Sequence, residues 1–292
     1  MITYRHHVVS LVAVFLALAV GVVLGGGPLA DADEGAGEQA PTASADAAQD
    51  ARGQYADAFA AASSSRLLED GLEGRSVALV GVGGPDDEVL GALTAHVEEA
   101  GGEVAARYEL LDRLVGGSST SLVDTLGQRL AEEVDDGAID PDAPAYDRLG
   151  QLLGLALATS APDGTPAGGN ARTVRQGLAG ADLLATSDAD AARAPLVLLV
   201  LGEDTDPDVL TGLASGLATV AGGTVLAAGS ESAQDGTLGA VREAGTPGGV
   251  VTVDGVESPA GQVTAALALL VAGSGAGGDY GPAGPDGAVP LT

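Results

Sequence analysis

Two stretches decide the fold: VALVGVGGPDDEVLGALTAHVEEAGGEVAA at residues 77–106 and VLLVLGEDTDPDVLTGLASGLATVAGGTVLAA at residues 197–228. Each opens with an unbroken apolar run. Each passes through an acidic loop into a segment with helical spacing of apolar residues. Each then turns at Ala-Gly-Gly into a second apolar run. Apolar runs without polar alternation are the pattern of strands covered on both faces, which is the situation of a parallel sheet. Two related βαβ units therefore predict an α/β domain with a parallel sheet.

Working outward, strands are expected at 77–82, 104–110, 196–201, 224–228 and 250–253. Helices are expected at 86–100, 207–220 and 259–271. In the first helix Val89, Leu93 and Val97 share a face, and in the last Val263, Leu267 and Leu270 do. A less regular helical part, 118–180, separates the two units. The outer α/β domain is placed at 74–272. The Gly- and Pro-rich segment 273–292 is expected to lack regular structure.

At the other end, VVSLVAVFLALAVGVVL (8–24) carries no charge, and with Gly25, Gly26 and Gly27 it is long enough to cross about 30 Å of hydrocarbon. Arg5 precedes it, and Asp31, Asp33 and Glu34 follow. This asymmetry predicts a transmembrane helix at 8–27, a cytoplasmic tail at 1–7 and the remaining chain outside the membrane. Two other readings stand beside it. One is a signal peptide cleaved after Ala32, which the run exceeds in length. The other is a buried core helix, which would be unusual without a polar face. Residues 28–73 read as a linker, flexible at 35–44, with a short juxtamembrane helix at about 46–70. Tyr55, Phe59, Ala62 and Arg66 have helical spacing there, but only the first two are strong apolar knobs for a coiled coil.

Composition excludes several functions. The formal net charge is −29 and all 12 basic residues are Arg. Nucleic acid needs a basic surface, so it is not an expected partner. Neither is an anionic lipid headgroup gripped by basic residues, although the bilayer itself is. GC-rich codon usage accounts for the missing Lys, and salt adaptation is a second explanation for the acidity. With no Cys there is no disulfide, thiolate nucleophile or thiolate metal site.

The glycine-rich loop Gly81-Val82-Gly83-Gly84-Pro85-Asp86 invites a dinucleotide reading, but Asp86, Asp87 and Glu88 would repel a pyrophosphate and are better placed to cap a helix. Asp204, Asp206 and Asp208 alternate like calcium ligands, yet the loop lacks the glycine and distant glutamate of an EF-hand, and Pro207 interrupts it. Of three His, only His96 lies beyond the tail, in the first helix with no catalytic motif around it. No enzyme is expected.

A resemblance adds to this reading. SLVAVFLALAVGVVLGGG (10–27), preceded by Arg5 and His7, closely resembles the start of the mycobacterial copper transport protein B family. GRSVALVGVGGPDDEVLGALTAHVEEAGGEV (74–104), LLGLAL (152–157) and DYG (279–281) resemble it too. The family's charged heptad helix after the membrane is not matched by the Ala-, Asp- and Ser-rich residues 31–65. The resemblance implies a membrane-anchored, efflux-associated component of copper transport or homeostasis, with copper as the one metal in question. The alternative is a non-catalytic cell-envelope or division scaffold that binds a partner protein. Copper(I) prefers thiolate, thioether and imidazole donors. The weak candidates are His6, His7 and His96, of which the first two fall on the cytoplasmic side. A single span forms no conducting path alone. Copper handling is therefore expected to need a homo-oligomer or an envelope protein partner.

Overall fold

A computed structural model describes residues 40–69, 71–116, 120–134, 137, 139–202 and 205–291. The apolar run at 8–27 and the candidates His6 and His7 lie outside the described residues. The compact units are Met1–Tyr55 and Ala56–Thr292. The described residues of the first are helical, and the sheet lies wholly in the second.

Helix α1 (Ala40–Leu68) begins earlier than expected and takes up part of the sequence read as linker. Pro41 does not prevent this, because a proline in the first turn costs no intrahelical hydrogen bond. After it come β1 (Ser76–Val82), α2 (Asp87–Glu99) and β2 (Glu103–Leu110), the first βαβ unit. Three helices occupy most of the part read as irregular and helical: α4 (Thr120–Val134), α5 (Ala145–Leu157) and α6 (Gly169–Gly180), after a single turn, α3 (Asp112–Val115). Strand β3 (Leu184–Thr186) follows. The second unit is β4 (Leu196–Leu201), α7 (Pro207–Ala218) and β5 (Gly223–Ala228). The chain closes with α8 (Ser230–Gln234), α9 (Thr237–Ala244), β6 (Val250–Asp254), α10 (Pro259–Gly273) and β7 (Gly278–Tyr280).

The seven strands form one sheet in the order β3-β2-β1-β4-β5-β6-β7. All neighbours are parallel except β2 and β3. The first strands of the two units, β1 and β4, lie side by side at the centre, and each unit runs outward from there. The continuous apolar runs follow from double coverage. Along β4, Val197, Leu199 and Leu201 pack on the face covered by α4 to α7 and α9. Leu196, Leu198 and Val200 pack on the face covered by α2 and α10.

Acidic loop residues cap the helices, as the dipole favours. Asp86 accepts from the Glu88 N–H at 2.8 Å, and Asp206 accepts from Asp208 and Val209 at 3.0 and 3.3 Å. Ser258 Oγ accepts from the Gly261 N–H at 3.2 Å at the start of α10. Helices α5 and α7 approach each other through paired glycines. A Cβ at Gly150 would lie 2.4 Å from the Leu213 carbonyl oxygen, and one at Gly216 would lie 2.0 Å from that of Asp147.

The segment 273–292 departs from the expectation that it lacks regular structure. Its β7 pairs in parallel with β6, matching Val251 with Gly278 and Val253 with Tyr280. The reason is a polar network absent from any local pattern. Arg242 on α9 donates to Asp254 Oδ1 at 2.8 Å, to Thr252 Oγ1 at 2.8 Å and to the Tyr280 carbonyl at 2.9 Å. Asp254 is fully buried and also accepts from the Ala283 N–H at 2.9 Å. Asp279 Oδ1 accepts from Thr246 and Thr252 at 2.7 and 2.8 Å. These bonds hold the segment despite its glycines.

Candidate functional site

Strand order reverses between β1 and β4, so the loops leaving their carboxyl ends diverge and open a crevice. In open α/β sheets this is where ligands bind. Here the crevice is a cleft of about 1310 Å³. Gly83 and Gly84 form one wall with φ of 68° and 66°, a backbone few other residues adopt. A Cβ on Gly202, from the loop after β4, would sit 2.2 Å from the Gly83 carbonyl oxygen. The floor is apolar, built from Val89, Val115, Val200, Leu201 and Val256. The rim carries Asp86, Asp112, Glu231, Asp235 and Glu257, with the hydroxyls of Ser230, Ser232 and Thr237 between them.

Among the described residues no Arg or His lines this cleft, and its charged groups are all carboxylates. It disfavours phosphates and dinucleotides. The two long helices that begin beside it, α2 and α7, already have carboxylates on their N-terminal amides. Ser230 is not set up as a nucleophile. Its Oγ and its N–H both bond to the Glu257 carboxylate, the N–H at 3.1 Å, and no imidazole among the described residues lines the cleft.

His96 lies seven residues along α2 from Val89 of the cleft, a rise of roughly 10 Å. Its Nδ1 is 3.1 Å from Glu99 Oε2 on the same helix, and it is the one imidazole among the described residues. Glu99 in turn accepts from Ser64 Oγ of α1 at 3.0 Å. Among the described residues, no group of three or more His, Asp or Glu is arranged to hold a metal ion. This donor set does not fit a tight copper(I) site, since one imidazole among hard oxygens offers the soft ion too little.

Sequence reading missed the buried arginines. Arg175 donates to the carbonyls of Ala156, Ala189 and Ala191 at 2.8–2.9 Å and lies 5.6 Å from the Tyr108 ring centroid. Burial pushes the Tyr108 hydroxyl above its ordinary value. The Arg175 charge pulls it back in part, and Asp188 raises it further. Arg148 pairs with Asp124 and donates to Pro141 and Ala143. No spacing rule reveals such pairs, because the acceptors are mostly loop carbonyls outside any helix or strand register.

Comparison with known proteins addresses the whole chain. A model of the family described as "Copper transport outer membrane protein, MctB" matches residues 1–290. The "Copper transporter MctB" of Mycobacterium tuberculosis (strain ATCC 25618 / H37Rv) is 30% identical over 293 aligned positions, covering 92% of each chain. That of Mycobacterium leprae (strain TN) is 30% identical over 320 positions, covering 96% of each. The match runs from the apolar N-terminal run through both βαβ units to the C-terminal strand, and the chain belongs to the MctB family of copper transport proteins.

Proposed function

We propose that this protein is a non-enzymatic, membrane-anchored component of copper transport, working through an assembly rather than through a copper site of its own. The family match over nearly the whole chain carries the reading, because relatives covered over 92–96% of their length are named as copper transporters. Residues 8–27 are its anchor, the tail 1–7 is cytoplasmic and the α/β domain lies outside. Among the described residues no helix is long and apolar enough to cross a membrane, and their sheet is open, with β3 and β7 as edges. What supports the anchor is the uncharged run at 8–27, long enough for the hydrocarbon core.

Copper is cargo in this reading. A strain lacking the protein is expected to accumulate copper, and re-expression to restore efflux; unchanged copper content in the deletion strain would sink the proposal. The anchor has its own test. Mass spectrometry of the membrane-bound protein is expected to find the N-terminus intact, whereas a chain starting at Asp33 would mean cleavage after Ala32.

Direct binding is expected to be weak. Full-length protein carrying His6→Ala and His7→Ala should bind copper(I) no tighter than about micromolar in competition with a chelator, because a single imidazole remains. Adding His96→Ala should change nothing. A stoichiometric nanomolar site would refute this. The cooperative melt should also be unchanged in strong chelator, since the core needs no ligand to form; metal-nucleated domains lose that transition.

A further inference from the structure

The cleft draws its walls from five adjacent strand ends. Strands β2, β1, β4, β5 and β6 are mutually parallel, so the segments that follow them all emerge at one edge of the sheet. Neighbouring strands lie about 4.8 Å apart, which makes the crevice about 19 Å wide. Its volume, about 1310 Å³, exceeds the roughly 300–1,000 Å³ of pockets that enclose one small molecule. Carboxylates stand on both sides of its apolar floor. Asp86 and Asp112 follow β1 and β2 on one side, and Glu231, Asp235 and Glu257 follow β5 and β6 on the other.

Acidity alone does not single out this place, because a net charge of −29 is spread over the chain. The conjunction of uncompensated charge with an apolar groove does. Among the described residues no Arg or His pairs with any of the five rim carboxylates, whereas Asp124, Asp190 and Asp254 each hold an Arg. Asp86 and Glu257 accept hydrogen bonds from the chain itself, and Asp112, Glu231 and Asp235 are exposed. A fitting occupant brings cations to both walls and apolar groups between them. A bare metal ion brings no apolar group, and no metal-holding cluster is found among the described residues. An extended peptide alternates its side chains and rises about 3.3 Å per residue, so about six residues cross the crevice with every second side chain on the floor.

We propose that this cleft is a docking groove for an extended basic segment of another protein, about six residues long, in which Arg or Lys alternates with apolar residues. The apolar side chains lie on Val89 and the floor beside it, and the cations reach the carboxylates of both walls. Exposed ion pairs of this kind are individually weak. The rim therefore selects the sign of the segment, and the floor adds the apolar contact that a merely cationic ligand lacks. The inference goes beyond the copper reading and does not depend on it.

Fluorescence polarisation on the full-length protein in detergent tests this, with a labelled hexapeptide alternating Leu and Arg as the probe. Saturable one-to-one binding is expected, at least about tenfold tighter than that of hexapeptides alternating Leu with Glu or Ser with Arg. The triple variant Asp112→Asn, Glu231→Gln, Asp235→Asn should weaken binding about tenfold. Its melting temperature should stay near that of the wild type, because the three side chains are exposed. The same change of charge away from the cleft, at the exposed Glu98→Gln, Glu132→Gln and Glu133→Gln, should leave binding unchanged. A probe that never saturates overturns the proposal. So does equal binding of the Ser–Arg peptide, or equal loss in the two triple variants. Displacement by spermine at concentrations as low as those of unlabelled peptide also overturns it, since the cleft would then be a site for small polyamines.

Discussion

Replacing Gly216 with Ala is expected to lower the stability of the outer domain by about 3 kcal/mol, the overpacking range. For a domain of this size that is a fall in melting temperature of roughly 6–12 °C. The new Cβ would lie 2.0 Å from the Asp147 carbonyl oxygen and 2.8 Å from the Gln151 nitrogen. Both are backbone atoms inside α5, so no side-chain rotation relieves the contact. The helices must part by about 1 Å, and a close-packed interior does not absorb that locally. The fully buried residues along this seam, among them Leu149, Leu153, Leu210 and Leu213, would all lose contacts. Gly91→Ala is the control. It lies in the interior of α2 with nothing within 4 Å of the added carbon, and should stabilise by about 0.5–1 kcal/mol. If the two variants melt together, the glycine seam is not what sets the distance between α5 and α7.

The second large effect is expected from Arg242→Met. The variant removes a guanidinium that bonds Asp254, Thr252 and the Tyr280 carbonyl at once. It leaves Asp254 fully buried, with no cation beside it. Removing one partner of a buried pair costs about 3–5 kcal/mol, most of it the uncompensated charge left behind. The loss should concentrate in the C-terminal segment, because Arg242 joins β6 to β7. Hydrogen exchange at 278–287 should rise toward that of an open chain, while β1 and β4 stay protected. Adding Asp254→Asn should recover much of the stability, since the two residues act as one unit. Native-like protection of 278–287 in the single variant would refute this role.

These two effects mark where reading by pattern stops. The repeated strand–helix–strand pattern was legible because burial on both faces imposes continuous apolar runs, and 77–82 and 196–201 carry them without interruption. The capping by Asp86 was legible because a cap bonds to amides only a few residues away. The tail was not legible. Its Gly and Pro residues read as irregular, and what orders it is Arg242, 38 residues from its acceptor Tyr280. The cleft was only half legible. The acidic loop after β1 was recognised, but not that it lines one crevice with Gly202 after β4 and with the segments after β5 and β6.

By itself, then, the sequence determined the local elements, the sign of the surface charge and the lack of soft metal donors. Each depends on residue type or on neighbours within a few positions, where periodicity and capping act. The tertiary structure alone decided the central pairing of β1 with β4 and the glycine contact between α5 and α7. It also decided the burial of Asp254 against Arg242. These depend on which distant segments meet, and that is set by the collective packing of two helical layers on one sheet, which no local pattern encodes.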